Sequence, residues 1–181
     1  MSKRAESRRM TPTLAAVAAV LDYDSCTGLL FWKLREGVPA WWNTRFAGAQ
    51  AGTVCTRGYV RVTLDYISYP AHALAWLLTY GDYPIGGIDH EDHDRANNRI
   101  ANLRLATPAI NAKNTSLSAR NTSGAVGVHW DRVRAKWKAV VVVGGRHKFL
   151  GRFGTQDAAI AARKEAEQRY GFHPNHGVAR A

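Results

Sequence analysis

Cysteine is nearly absent from this chain: only Cys26 and Cys55 occur among 181 residues. Two distant cysteines build neither a disulfide framework nor a zinc ribbon. Any metal site must therefore use oxygen and nitrogen ligands. Long apolar runs are also lacking. The stretch Leu14–Leu21 follows a basic start (Lys3, Arg4, Arg8, Arg9), but Asp22 and Asp24 come next and no small-residue cleavage pattern is seen. It reads as a helix, and nothing approaches the length of a membrane span. The expectation is an intracellular, cytoplasmic protein with no membrane partner. Acidic residues are scarce: 14 Asp and Glu stand against 25 Lys and Arg, a net charge of +11. Such a surplus attracts polyanions: DNA, RNA or an acidic membrane surface.

What is present fits a folded chain. The hydrophobic fraction is 46%, and the length suits one ordinary domain or two small ones. Residues 1–10 are charged and expected to fray. Thr11-Pro12 signals a helix start, with Leu14, Val17 and Leu21 at helical spacing. Leu29–Trp32 reads as a strand, whereas residues 35–57 carry no assignable pattern. Gly58–Leu64 alternates, and Asp65-Tyr66 can turn the chain into a second strand near Ile67–Tyr69. Pro70–Tyr80 reads as a helix closed by Gly81.

Residues 85–116 read as strand, polar loop, strand and helix, the helix capped at Thr107-Pro108. Residues 114–124 are small and polar. Three strands follow, Val126–Trp130, Lys136–Val143 and Arg146–Phe153, the last two joined by Gly144-Gly145. Thr155 caps a helix running to about Tyr170, with Ala158, Ala159, Ala162, Ala166 and Tyr170 expected on the sheet. The tail from Phe172 is expected to be loose. The class predicted is α+β.

The chemistry-bearing residues lie in the 85–116 stretch. Cutting a phosphodiester needs a deprotonated water, an offset for phosphate charge and a stabilised leaving oxygen. A histidine near neutrality suits the first task and a divalent metal on oxygen ligands the other two. Asp89-His90 sets an oxygen ligand beside an imidazole. Neighbours on a strand point to opposite faces, however, so adjacency alone decides little. Asn102 precedes the second strand and Asn111 lies one turn into the helix. A calcium loop through Asp89, Asp92 and Asp94 lacks the turn Gly and closing Glu of an EF-hand. His93 reads as solvated, and His72 as a packed histidine.

The spacing, Asp-His, eleven residues, Asn, eight residues, Asn, resembles the HNH endonucleases of phage and homing type, whose core is a ββα-metal fold. Gly58-Tyr59, Ala71-His72, Leu74-Ala75-Trp76 and the run Asp94…Asn97-Asn98-Arg99…Asn102-Leu103-Arg104…Thr107…Asn111…Asn114 carry the resemblance. One departure is Ala73, where relatives often have Arg after the His. The resemblance implies that His90 is the general base, that Asp89 and Asn111 hold one divalent metal, and that Asn102 orients the loop. It implies Mg as the metal, with Mn able to substitute and no zinc. His72, Asn98, Arg99 and Asn114 are candidate supporting residues. Double-stranded DNA is the implied partner, bound by a monomer without a small-molecule cofactor. The implied role is homing or phage-genome processing, in a bacterial host cell.

The C-terminal strands carry separate information. Strict alternation puts Trp137, Ala139, Val141, Phe149 and Phe153 on one face and Lys136, Lys138, Arg146, Lys148 and Arg152 on the other. Arg132 and Arg134 in the first turn add to the basic face, and Trp130 is left open between core and DNA. Ser123-Gly124…Gly127-Val128…Trp130-Asp131, Lys136-Trp137…Ala139 and Leu150-Gly151…Phe153 resemble the APETALA-type DNA-binding domain of ethylene-response factors. That resemblance implies a three-stranded antiparallel sheet on one helix, directing the nuclease to DNA. The expected organisation is 1–116 for the N-terminal region and nuclease (core 85–116), 117–122 as linker, 123–172 as DNA-binding domain and 173–181 as tail. The alternative reading is a DNA-binding regulator on an inactive HNH fold.

Overall fold

The computed structural model describes residues 11–179. The expectation of fraying over residues 1–10 lies outside them. The chain divides into two compact units, one ending at Ala106 and one starting at Thr107. Helices mix with small antiparallel sheets, so the class is α+β.

The first unit opens with helix α1 (Leu14–Ala18), capped by the Thr13 side chain on the Ala16 amide. It ends sooner than the apolar spacing predicts. Leu21–Asp24 is instead a strand, β1, paired with β2 (Leu29–Trp32). Asp24 makes that turn possible by accepting from the Cys26 amide and the Thr27 hydroxyl. The patternless 35–57 stretch contains helix α2 (Ala40–Phe46) and the short strand β3 (Thr53–Val54). β3 pairs with β4 (Val60–Leu64), which pairs with β5 (Ile67–Pro70). Asp65 and Tyr66 both take positive φ in the connecting turn, as a tight hairpin demands.

Helix α3 (Ala71–Tyr80) follows and stops at Gly81, which is left-handed at φ 86° and donates to the Leu77 carbonyl. Its Leu74 and Leu77 join Val17, Leu21, Leu30 and Val62 in the first core. The unit closes with β6 (Gly87–His90), a polar loop, a single 3₁₀ turn at Ile100–Asn102, and β7 (Leu103–Ala106).

The second unit starts with helix α4 (Pro108–Ala112), where the Thr107 hydroxyl accepts from the Ile110 amide. Strands β8 (Val128–Asp131), β9 (Lys136–Val143) and β10 (Arg146–Phe153) form one antiparallel sheet with β9 central. Gly144 and Gly145, at φ 58° and 74°, make the β9–β10 turn. Helix α5 (Gln156–Arg169) lies on the sheet, and Ala125, Val128, Ala139 and Ala159 form the second core. The alanine stripe is shifted from its expected register. Ala158 is exposed, and the buried positions are Ala159, Arg163, Ala166 and Glu167.

The tail beyond Phe172 is not loose as far as it is described. The amides of His173 and Gly177 donate to the carbonyls of Lys113 and Thr115. Leu117 in turn donates to the Val178 carbonyl, and His176 is buried. Residues 117–122, expected as a linker, thus sit within the second unit and are hydrogen-bonded there. No helix among the described residues is long and apolar enough to cross a membrane.

Candidate active site

Strands β6 and β7 place the site. Their register sets His90 opposite Leu103 and Asp89 opposite Arg104. Alternation then sends the two pairs to opposite faces. His90 turns inward and is 4% exposed. Its ring meets His72 edge-on at 5.1 Å between centroids, and Tyr59 lies 5.9 Å away. Asp89 accepts two hydrogen bonds on one oxygen, from Nε and Nη2 of Arg104 at 3.1 and 2.8 Å. Sequence reasoning did not single out Arg104. Its signal was there: once Asn102 closes the hairpin by accepting from the Glu91 amide, antiparallel pairing brings residue 104 opposite residue 89.

The loop between the strands is a polar knot. The Asn102 side chain accepts from the Asp92 amide and donates to both the Asp92 carboxylate and the Asn97 carbonyl. Asp92 also receives the Asp94 amide and the Asn97 side chain. Burial alone would push the Asp92 carboxyl up, but these donors hold it below its usual range. Asp92 is thus an anchor of the loop. His93 is buried and left-handed at φ 68°, not solvated as expected. Arg95 ties the loop to the preceding sheet, donating to the Arg57 carbonyl and covering the Tyr59 ring at 4.6 Å. From the other side Tyr23 donates to the Asn98 carbonyl at 2.7 Å. Gly28 abuts the backbone of Asn98 and Arg99 so tightly that any Cβ there would collide with it. Arg99 itself is exposed.

Asn98 links this loop to the histidine. Its Nδ2 donates to the Ala96 carbonyl, so its Oδ1 faces Nε2 of His90 at 3.3 Å. An amide oxygen only accepts, so the ring nitrogen facing it, Nε2, is the donor of this bond. Burial pulls the His90 pKa below its ordinary value, against the Asn98 bond and Asp92, Asp89 and Asp94, which pull it up. His72 is displaced further, to about 4, by burial first and then by His90 and Arg61. Its Nδ1 is buried without a hydrogen-bond partner among the described residues.

A family model described as HNH endonuclease matches residues 69–113. Protein 3.8 of Escherichia phage T7 is 37% identical over 83 residues, which is 45% of this chain and 69% of that protein. The chain belongs to the family of phage Protein 3.8, and it carries an HNH endonuclease domain. No solved structure matches it. The matched HNH stretch holds His72, Asp89, His90, Asn98, Arg99, Asn102 and Asn111. Of these, the first unit brings His72, His90 and Asn98 into contact, with Asn102 bracing the loop through Asp92, and it places Asp89 on the other face of the strand against Arg104. Asn111 lies in the second unit, exposed on α4, and Asn114 is buried just beyond, donating its amide to the Asn111 carbonyl.

For a metal, the Asp89 carboxylate has the right hardness. Among the described residues no group of three or more His, Cys, Asp or Glu is placed to hold an ion. Mg needs no such cage: one or two carboxylates, waters and substrate phosphate suffice. Asp89 fits that modest requirement, with one oxygen engaged by Arg104.

The second unit's sheet corrects the expected basic face. A bulge at Leu150 shifts the β10 register: Phe149 pairs with Val140, yet Gly151 pairs with Ala139. One extra residue reverses the alternation beyond it. Lys148 and Arg146 therefore share the face of Val141 and Val143, not the basic one. Lys148 reaches the Tyr170 hydroxyl and lies over its ring at 4.9 Å. Phe149, expected inside, is 56% exposed and stands on the outer face with Lys136, Lys138 and Arg152. Arg152 is paired with Asp131 at 2.9 Å and stacks over Phe149. Arg132 and Arg134 are exposed in the β8–β9 turn, with Arg134 also near Asp131. Trp130, left open by the sequence, stands against Trp137 on the helix side.

Proposed function

We propose that this protein is a metal-dependent DNA endonuclease in which His90 is the general base. The observation that carries the reading is the Asn98–His90 hydrogen bond inside the HNH domain. In this reading Nε2 donates to Asn98, and Nδ1 of the neutral ring takes the proton of the attacking water. Tyr59 and His72 hold the ring from the flanks, and Asn102 keeps the loop closed through Asp92. Asp89 is the oxygen ligand the first unit offers to a divalent ion. A bound Mg or Mn would offset phosphate charge and stabilise the leaving oxygen. The second ligand, Asn111, keeps its assignment from the sequence spacing. Purified full-length protein is expected to cut duplex DNA with Mg or Mn and to stop when EDTA is added. Cutting that persists in excess EDTA would refute the metal requirement.

The outer sheet face of the second unit is the DNA-directing surface in this reading, as the APETALA-type resemblance implies. Its cations are Lys136, Lys138 and Arg152, with Arg132 and Arg134 in the turn. Phe149 supplies an apolar contact among them, such as thymine methyls accept. Charge reversal at Lys136 and Lys138 should flatten the log affinity against log salt slope by about 0.9 for each lost phosphate contact. Reversing Arg146 and Lys148 should change the slope far less, because the bulge turns both away. Equal slopes for the two double variants would sink this placement of the DNA face.

One observation favours the alternative, a DNA-binding regulator on an inactive fold. Arg104 already neutralises the carboxylate that would hold the metal. DNA binding with no cleavage of whole phage or host genomes, in any divalent metal, would decide for it.

A further inference from the structure

The first unit has an open cleft of about 550 Å³ beside the His90 ring, which the reaction described above leaves unused. Its wall includes Cys55, Arg57, Tyr59, Arg61, His72 and Tyr83, and no Asp or Glu among the described residues lines it. Arg61 is held in place by Ser68, donating from Nε to the hydroxyl and from Nη2 to the carbonyl. Arg57 is exposed on a tight turn closed by the Gly58 amide on the Cys55 carbonyl. Two of the lining rings, Tyr59 and His72, are the same rings that touch His90. One layer of aromatic side chain thus separates the cleft from the base.

These features fit one kind of ligand. The volume lies within the roughly 300–1,000 Å³ range of small-ligand sites. Guanidinium groups without neighbouring carboxylates select an anion, and Arg matches phosphate oxygens in a two-pronged fashion. Tyrosine rings offer a stacking surface to any base, worth about 1–3 kcal/mol in single-strand sites. His72 lines the same wall, and its buried Nδ1 has no hydrogen-bond partner among the described residues.

We infer that this cleft is a nucleotide subsite, holding the nucleotide next to the scissile phosphate with its own phosphate on Arg57 and Arg61. The inference rests on the endonuclease reading for the word "scissile", but the binding it claims is independent of cutting. Holding the neighbouring nucleotide fixes the strand against His90, which converts a diffusive encounter into a positioned one.

Cys55 provides the test, because its thiol lines the cleft and the Arg57 amide holds its pKa below the ordinary value. The protein is the full chain carrying Cys26→Ser, so that one thiol remains. The probe is thymidine 3′,5′-bisphosphate, and the readout is the rate of maleimide alkylation at Cys55. Saturating bisphosphate should slow alkylation by about tenfold or more, as a site occupied more than nine-tenths of the time requires. Arg57→Ala should weaken the protection by about tenfold in bisphosphate concentration. It should also raise KM for DNA more than it lowers kcat. An alkylation rate indifferent to the bisphosphate, or equal protection in the Arg57→Ala protein, overturns the subsite. If protection is seen but the wild-type chain never cuts DNA, the nuclease reading fails and the nucleotide site stands. If His90 is required for cutting while Cys55 stays unprotected, the subsite alone fails.

Discussion

A His90→Ala protein is expected to bind DNA as the wild type does and to lose cleavage by roughly 10²–10⁴-fold, the usual contribution of a general base. The size of the effect follows from the geometry. No other imidazole of the first unit is placed as His90 is. His72 is displaced to a pKa of about 4 and turned toward Tyr59 and His90. His93 is buried on the loop and left-handed. Removal of His90 also takes a ring out of a packed trio, so stability must be separated from chemistry. Thermal unfolding supplies one control. His90→Gln supplies a second, since it keeps much of the bulk and the hydrogen bond to Asn98 while losing the basic nitrogen. Both variants should retain the salt-dependent DNA affinity that we propose for the second unit's sheet. Single-turnover cleavage at saturating DNA is the measurement. Either variant cutting within a few-fold of wild type would refute the assigned base.

The elements that were legible in the sequence share one trait: their signals are local. Gly81 stops a helix because only a left-handed residue ends it there, and Gly144-Gly145 turns a hairpin for the same reason. Thr107 and Thr155 announce their helices because the caps are made three residues away. Asp89, His90 and Asn102 were legible as a spaced set, since the strands and loop that join them are contiguous. Helix α2 was not, because it buries no residue and its N-cap, Pro39, makes no side-chain cap. The Asp89–Arg104 pair was missed because register becomes visible only once the hairpin is closed. The basic face was misread for a sharper reason. Alternation is a counting argument, and a bulge at Leu150 adds one to the count. Nothing in Phe149-Leu150-Gly151 except the glycine hints at it, and Gly151 adopts φ 148° beside the Phe153 ring.

The stripe of α5 was misread through composition. Small alanines let a helix lie close on a sheet, which makes them the expected contact residues. The structure instead buries Arg163 and Glu167. Arg163 has every prong occupied: Nε on Glu167 at 2.9 Å, Nη1 on the Val140 carbonyl at 2.7 Å, and Nη2 on Nε2 of His176 at 3.0 Å. Its guanidinium also lies over Phe172 at 5.2 Å. Gly127 leaves room for this, since a Cβ there would strike the Val140 carbonyl and press on Nη1. Lys164 completes the knot, donating to the other Glu167 oxygen and to the His176 carbonyl. One arginine thus joins helix, central strand and tail in a unit whose apolar core is mostly alanine and valine.

Truncating it to alanine leaves Glu167 inside without its main partner, and the expected loss is about 3–5 kcal/mol, typical of a broken buried pair. Urea unfolding of the full chain should show it, and amide exchange of His173 and Gly177 should speed up as the tail lets go. The double variant Arg163→Met, Glu167→Leu removes both charges and should recover most of the loss, because a pair replaced by apolar side chains is often neutral. If Arg163→Ala unfolds at the wild-type urea concentration with the tail still protected, the knot does not hold the unit together. If the double variant is as unstable as the single one, packing and the Val140 bond carry the stability, and charge pairing does not.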